Sequence, residues 1–354
     1  MVKKLLVVGL ILLLVCMSIP STGKLMEQIS TASSDGNTFY VGGDGPGNYT
    51  KIQYAIDNAS EGDTVFVYNG LYYESIILNK SLNLIGEHRN KTVINGSGHF
   101  VTVRIDANNI DICGFTIQTF GLPWHWRRGI NVYSNSNFIN IYNNIISKNY
   151  FGIELSDIDG MVDVQIYDNY FNENKYGIEG DGNLDSIVKI YNNIIMNNEV
   201  GLAVYTNYSV YNNIVADNSI GISVRIGLTS AIYNNQIKNN KVGLKILHCS
   251  GTHIYENNFI NNDIQAYVLK YAYIFFGEEF FPALKFLHSL KQKWSNNYWD
   301  DWNREFPRPI MELSAIFFVI WIVFIRPVPI PIPIPRPYIE FDWHPAQEPY
   351  DIEV

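Results

Sequence analysis

Short apolar runs of two to five residues, separated by asparagine and glycine, follow one another along the middle of the chain. An amphipathic helix needs ten or more residues at a period near 3.6, so these runs predict short β-strands separated by turns. Six tyrosines recur at spacings of 20 to 25 residues: Tyr142, Tyr167, Tyr191, Tyr211, Tyr233 and Tyr255. Each is preceded by an isoleucine or valine, and asparagines stand two and seven residues after it.

This period predicts an all-β fold, a right-handed parallel β-helix in which each repeat forms one coil. Successive coils stack about 4.8 Å apart, so equivalent residues form columns. Asparagine suits such columns because it tolerates the left-handed conformation at bends and because its amide both donates and accepts hydrogen bonds. Glycine stands ten residues after the first five tyrosines, and Gln265 after the sixth. We interpret this column as a second bend, where no Cβ fits.

The two ends of the solenoid differ from its middle. Residues 52–59 have a short helical period, and we expect this helix to cap the N-terminal end. The predicted β-helix covers residues 38–266, and a C-terminal cap rich in aromatic residues and proline covers residues 267–354. Within the cap, the apolar run 313–325 predicts a buried or partner-covered strand. A membrane anchor is the alternative, although such a helix would reach only about 20 Å across a core of about 30 Å.

Proline occupies every second position from Pro327 to Pro337, mostly alternating with isoleucine and valine. One interpretation is a stiff polyproline spacer. The other is an edge strand, because prolines at alternate positions remove the N–H groups from one edge and leave the other edge able to pair.

The first 23 residues have the features of an export signal. Lys3 and Lys4 precede an unbroken apolar run over residues 5–15, and small residues follow near Gly23. A run of this length fits a secretory signal and is too short to span a bilayer. We therefore expect a signal peptide over residues 1–23 and an extracellular or cell-surface location.

The composition mainly excludes classes of protein. The formal net charge is −9, and a chain this acidic lacks the basic stripe that nucleic-acid binding requires. Three cysteines are too few for a disulfide scaffold. Cys113 and Cys249 lie about six predicted coils apart, which is too far for a disulfide bond.

The segment IQYAIDNASEGDTVFVYNGLYYESIILNKSLNLIGE and the YNN…NN…G coils resemble the pectin-lyase-like β-helix family. Within it they are most similar to the NosD-like branch, whose repeats are called carbohydrate-binding and sugar-hydrolysis repeats. The motif WSNNYWDDW and the later FDWHP are similar to segments of exported archaeal proteins of this type. The resemblance implies the fold over roughly residues 38 to 266. It implies no single activity, because the fold hosts lyases, hydrolases, epimerases and non-catalytic binders.

About six extra residues lie between Cys113, which occupies the tyrosine column, and the next column glycine, Gly129. They predict a projecting loop with two indoles and two guanidinium groups. Indole faces stack on sugar rings, and arginine forks bind carboxylates. The residues that we predict to bind polysaccharide are Trp124, Trp126, Arg127, Arg128 and Asn131.

Glu154 and Glu179 are the candidate catalytic residues. Each stands two residues after a column glycine and between apolar residues, so both should point outward on adjacent coils, about 4.8 Å apart. A retaining glycosidase requires two carboxyl groups about 5–5.5 Å apart. The alternative is a pair of solvated carboxylates on the face of the solenoid.

We expect no resident metal or cofactor. Acidic residues near Glu154 offer oxygen ligands for Ca²⁺, and His248, Cys249 and His253 offer ligands for copper, but a second thiol and a methionine cluster are missing. The leading hypothesis is an exported, non-catalytic protein that binds a polysaccharide or cell-surface glycan or has a structural role at the surface. The alternatives are a polysaccharide hydrolase or lyase and a NosD-like factor for copper-enzyme assembly.

Overall fold

The computed structural model describes residues 36–119, 126–133, 136–156, 163–180, 186–225, 230–247, 249, 251–275, 292–302, 307–322, 325–333 and 339–352. The predicted signal peptide lies outside these residues. Contacts divide the chain into Met1–Gly36 and Asn37–Val354, and the second unit contains every element described below.

Nearly all of the described elements are β-strands, and they form a right-handed parallel β-helix, as predicted. Three strands make one coil, and each strand pairs in parallel with its equivalents in the neighbouring coils. The first sheet contains β1 (Thr38–Val41), β2 (Asp63–Val67), β5 (Leu82–Gly86), β8 (Ile110–Cys113), β11 (Ile139–Tyr142), β14 (Asp163–Tyr167), β17 (Ile187–Tyr191), β20 (Tyr208–Tyr211), β23 (Ala231–Tyr233), β26 (His253–Tyr255) and β29 (Lys293–Ser295).

The second and third sheets complete each coil. The second contains β3 (Gly70–Tyr72), β6 (Thr92–Asn95), β9 (Thr116–Gln118), β12 (Ile145–Ser147), β15 (Tyr170–Asn172), β18 (Ile194–Met196), β21 (Ile214–Ala216), β24 (Gln236–Lys238), β27 (Asn258–Ile260) and β30 (Tyr298–Trp299). The third contains β4 (Ile76–Leu78), β7 (Val101–Ile105), β10 (Arg128–Val132), β13 (Phe151–Leu155), β16 (Tyr176–Glu179), β19 (Val200–Val204), β22 (Ile220–Arg225), β25 (Val242–Leu247), β28 (Ile264–Phe275) and β31 (Arg308–Ile322).

The core is a column of branched aliphatic side chains inside the coils. Alternate residues of most strands in the first sheet are buried, as in β14 and β17. Ile141, Ile166 and Ile190 are fully buried at equivalent positions of three coils. Burying one such side chain contributes about 1.5–3 kcal/mol. At the N-terminal end, helix α1 (Ile52–Asn58) packs Ile52 and Ile56 onto this core. The helix thus has the capping position that the sequence predicted.

Two fully hydrogen-bonded asparagine ladders run along the bends between the sheets. In the first ladder, Asn193 donates from its backbone N and its Nδ2 to Asn213 Oδ1 (2.9 and 3.0 Å). Its Nδ2 also donates to the carbonyls of Ile166 (2.8 Å) and Tyr191 (2.9 Å). The same bonds join the other members, Asn144, Asn169, Asn235, Asn257 and Asn297. The second ladder contains Asn149, Asn174, Asn198, Asn218, Asn240 and Asn262.

The sequence suggested that the ladder asparagines adopt the left-handed conformation at the bends, but they do not. The left-handed residues are those immediately before them, such as Asn143 (φ 52°) before Asn144 and Lys148 (φ 59°) before Asn149. The ladder asparagines therefore contribute through their amides alone.

The glycine column lies within the strands of the third sheet, so our interpretation of a second bend is wrong. A Cβ on Gly177 would lie 2.5 Å from the carbonyl oxygen of Gly201 in the next coil. The column is therefore required by the close approach of neighbouring backbones, and no positive φ is involved. Gln265, which interrupts the column, instead ends the second ladder: its Oε1 accepts from Asn262 Nδ2 (2.7 Å), and its Nε2 donates to Asp300.

The solenoid extends past the predicted boundary at residue 266. Strands β29, β30 and β31 form a further coil on β26, β27 and β28. In that coil Asn297 continues the first ladder, which ends on Asp342 Oδ2. The boundary was placed too early because an insertion separates Asn297 from Asn257, so the period is lost.

The apolar run 313–325 is mostly part of strand β31, and no helix in the described residues is long and apolar enough to cross a membrane. The proline-rich segment forms strand β32 (Ile325–Pro333), which pairs antiparallel with β31, with Ile330 opposite Phe318. Among the described strands β32 pairs with β31 alone, as an edge strand does. Strand β33 (Ile339–Asp342) pairs with both β31 and β29.

Candidate functional site

Four of the predicted site residues, Arg128, Asn131, Glu154 and Glu179, lie on strands of the third sheet, and a column of polar residues crosses several coils there. Asn131 on β10 is in register with Glu154 on β13, and Glu154 is in register with Glu179 on β16. Arg104 on β7 precedes them in the same column. The prediction that Glu154 and Glu179 occupy equivalent positions of adjacent coils is therefore confirmed.

Glu154 is the centre of a hydrogen-bonded cluster that contains three of the predicted residues. Arg128 donates from Nε and from Nη2 (3.3 Å) to the two carboxylate oxygens. Asn131 Nδ2 donates to Glu154 Oε2 (3.1 Å) and to Ser156 Oγ (2.8 Å). Glu154 is only 8% exposed. Arg128 thus compensates the charge of this largely buried carboxylate.

Glu179 has a separate cationic partner, Arg225, which the sequence analysis missed. Arg225 lies at the end of β22 and donates from Nη1 to Glu179 Oε1 (2.9 Å). Burial lowers the pKa of Arg225, but the charge of Glu179 and hydrogen bonds with Tyr205 and Tyr176 outweigh burial and leave that pKa raised. Both candidate catalytic carboxylates are therefore members of ion pairs.

An aromatic surface, of which Trp126 is the exposed member, lies beside the Glu154 cluster. Trp126 is 60% exposed, and its ring stacks on Tyr150 with 6.3 Å between centroids and 25° between planes. Phe151 contacts the same indole at 6.4 Å and lies beneath the Arg128 guanidinium at 5.9 Å. Tyr176 extends the surface by one coil, stacked on Phe151 at 5.3 Å.

The backbone of Trp126 is strained, which agrees with a functional role for its side chain. Its φ is 74°, a left-handed value that bulky residues rarely adopt. Such conformations cost about 1–3 kcal/mol and cluster at ligand sites.

The other predicted binding residues occupy different positions. Arg127, next to Trp126, is buried, unlike its neighbour. Trp124 lies outside the described residues. The sequence analysis also missed Tyr150, Phe151 and Tyr176, although a signal was present: all three stand one or two residues before a column glycine.

The tyrosine column forms a stack of six rings along the first sheet. Successive centroids are 4.9–5.0 Å apart and the planes are within 8° of parallel. Cys113 occupies the position before Tyr142, as predicted. Burial raises the pKa of the Cys113 thiol to about 11, so this thiol is protonated at neutral pH.

The chain matches the family described as "Periplasmic copper-binding protein (NosD)" over residues 56–302. It belongs to the NosD family. A cell surface glycoprotein of Methanothermus fervidus is 43% identical over 72 residues, which make up 20% of this chain and 12% of that protein. The chain therefore matches about an eighth of the length of that relative.

Solved structures similar to this chain include three proteins named for pectin or pectate. A pectin methylesterase from Aspergillus niger has a TM-score of 0.49 and 15% identity, covering 64% of this chain and 86% of its own. A pectate lyase, Pel9A, has a TM-score of 0.46 and 14% identity, covering 69% and 71%. A pectin methylesterase from carrot has a TM-score of 0.39 and 14% identity, covering 69% and 76%.

The described residues of this chain do not fit a copper site. They contain no group of three or more histidine, cysteine or acidic side chains placed to hold a metal. Copper prefers thiolate, thioether and imidazole ligands, and a thiol must be deprotonated to bind. Cys113 and Cys249 are buried singly, and the Cys249 thiol donates to the Leu247 carbonyl (3.0 Å). His248 lies outside the described residues.

Proposed function

We propose that this protein is an exported, cell-surface β-helix protein that binds polysaccharide on the outer face of its third sheet without cleaving it. The observation that carries this proposal is the exposed, strained Trp126, which lies beside the Arg128–Glu154–Asn131 cluster. The surface location is supported by the similarity to a cell surface glycoprotein and by the periplasmic family description.

A sugar ring has an apolar face and a rim of hydroxyl groups, and this surface has a counterpart to each. The Trp126 indole and the Tyr150 ring provide the apolar platform. Glu154 accepts hydrogen bonds and Arg128 donates them, and a few such convergent polar groups fix the orientation of a ligand. Both polar side chains are held by neighbours, so little of their freedom is lost on binding.

Trp126→Ala is expected to weaken binding of the recognised polysaccharide about 30-fold, because losing a stacked indole costs about 2 kcal/mol. The full chain would be screened on a glycan array and the affinity measured by titration calorimetry. Trp343→Ala is the matched control, since Trp343 is similarly exposed (62%) and packs on Phe341 in the C-terminal segment. Equal loss in both variants, or none in Trp126→Ala, would contradict the proposal.

We propose that binding requires no metal ion, so chelation with EDTA should leave the affinity unchanged in the same titration. A loss of affinity that added Ca²⁺ or copper restores would instead assign a metal to this surface. The partner is a polysaccharide or cell-surface glycan, and the acidic net charge of −9 argues against nucleic acid.

The second candidate function is polysaccharide hydrolysis or lysis, favoured by the register of Glu154 with Glu179. Against it stand the two ion pairs, which engage both carboxylates. We expect incubation with the bound polysaccharide to release neither reducing ends nor unsaturated products. Glu154→Gln should weaken binding, because it removes the negative partner of Arg128. Product release by the wild type that Glu154→Gln or Glu179→Gln abolishes would establish an enzyme.

A further inference from the structure

Arg127 is a buried cation without a counterion among the described residues. Its side chain is only 7% exposed, and its Nη2 is buried without a hydrogen-bond partner. No described carboxylate forms an ion pair with it. Glu154, on the neighbouring strand β13, already accepts hydrogen bonds from Arg128 and Asn131. The six residues 120–125, which precede Trp126, include no acidic residue.

Removing a guanidinium group from water is costly unless an anion and hydrogen-bond acceptors replace the lost hydration. A ligand carboxylate would supply the countercharge that the described residues lack. The guanidinium fork matches a carboxylate in shape and hydrogen-bonding geometry.

The surroundings of Arg127 identify the kind of molecule that carries this carboxylate. The Arg128 N–H donates to the Phe100 carbonyl, and the Phe151 N–H donates to the Arg127 carbonyl, both at 2.9 Å. Phe100, Arg127 and Tyr150 therefore occupy equivalent positions of three successive coils. Phe100, which is 73% exposed, therefore lies next to Arg127 in the neighbouring coil. The exposed Trp126 lies next to Arg127 in the sequence.

We infer that Arg127 binds the carboxylate of a uronic acid within the polysaccharide, and that it determines a preference for acidic over neutral glycans. The inference rests on the proposed function, because the aromatic platform positions the sugar ring whose carboxylate Arg127 receives. Glu154 is consistent with this assignment, because its charge is already compensated by Arg128. Glu154 therefore does not compete with the ligand carboxylate for Arg127.

The test compares a carboxylated glycan with its neutral counterpart. The full chain would be titrated with an oligogalacturonate and with the same oligosaccharide fully methyl-esterified. We expect the wild type to bind the carboxylated form at least about 10-fold more tightly, as for a hydrogen-bonded charged pair. Arg127→Gln should bind both forms equally. Free galacturonate should raise the melting temperature of the wild type and leave that of Arg127→Gln unchanged.

Arg104→Gln is the matched control. Arg104 lies on the same face, but its guanidinium is already paired with Asp106 (2.9 Å) and lies over the Tyr133 ring (4.0 Å). This variant should keep the preference for the carboxylated glycan.

The stability of the ligand-free variants separates a binding role from a structural one. Without ligand, Arg127→Gln should melt at or above the temperature of the wild type, because it removes an uncompensated buried charge. A lower melting temperature together with an unchanged glycan preference would overturn the inference.

If Arg127→Gln does not fold, Arg127→Lys keeps the charge without the planar fork and should bind the carboxylated glycan more weakly than the wild type. Equal binding of both glycans by the wild type would overturn the inference and leave the proposed function standing, whereas binding of neither glycan would overturn both.

Discussion

Asn213→Ala is expected to lower the free energy of unfolding by about 3–5 kcal/mol, because it breaks the first asparagine ladder at its middle. Asn213 is fully buried, and its Oδ1 accepts from both Asn193 N (2.9 Å) and Asn193 Nδ2 (3.0 Å). Its Nδ2 donates to the carbonyls of Ile190 and Tyr211, both at 2.9 Å. Alanine takes the acceptor away from the Asn193 backbone N–H and from one Nδ2–H, and removes a donor from both carbonyls. Each buried group that is left unmet costs about 1–3 kcal/mol.

Asn140→Ala is the matched control for this substitution. Asn140 is half-buried on β11 and donates one side-chain hydrogen bond, to Asp111 Oδ1 (2.7 Å). Its loss should cost only about 0.5–1.5 kcal/mol. Urea denaturation measures both values, and hydrogen exchange shows whether the coils on either side of Asn213 open separately, as the one-dimensional contacts of a solenoid permit. Equal destabilisation by the two variants would contradict a ladder that stabilises the stack.

The fold could be predicted from the sequence because its stabilising interactions repeat. Each ladder asparagine bonds to its equivalent in the next coil, so the chemistry appears as a column of identical residues at a fixed period. Residues with positive φ could not be assigned in the same way. Lys148 and Glu173 adopt left-handed conformations against their own preferences, because the neighbouring ladder fixes the bend.

The glycine column shows how one sequence pattern can have two physical causes. A requirement for positive φ and a requirement for close backbone approach both select glycine at every repeat. Only the structure shows that a Cβ at Gly221 would lie 2.7 Å from the Gly243 carbonyl oxygen. The pattern identified the position correctly, and the physical reason had to come from the packing of neighbouring coils.

The ion pairs of the candidate site could be predicted from the sequence only where the two residues lie in adjacent coils. Arg128 and Glu154 lie one coil apart, and both were selected from the sequence. Arg225 reaches Glu179 across 46 residues from a position outside every recognised column, so no spacing rule pairs them. The lack of an ion-pair partner for Arg127 in the described part of the chain is also invisible in the sequence, because it depends on which carboxylates are already engaged.

Asp342→Ala is expected to release the C-terminal end of the solenoid, with a local destabilisation of about 3 kcal/mol, because a buried carboxylate that ends a ladder is lost. Asp342 is fully buried, and its Oδ2 accepts from Asn297 N (3.1 Å), Asn297 Nδ2 (3.0 Å) and Trp299 Nε1 (3.1 Å). Alanine takes the shared acceptor away from these three donors and removes the side-chain bonds of Asp342 to the last coil, while Glu340 on β33 keeps its bond to Trp294.

Hydrogen exchange and limited proteolysis measure where Asp342→Ala loosens the chain. Faster exchange and new cleavage should be confined to the last coil, including β29 and β30, while the coils around Asn213 keep their protection. Asp351→Ala, an exposed carboxylate in the same terminal segment, should leave exchange unchanged. Loosening that spread evenly through all coils would contradict local capping. Loosening confined to the last coil would indicate that Asp342 ends the ladder by supplying the acceptor that another coil's asparagine would otherwise provide.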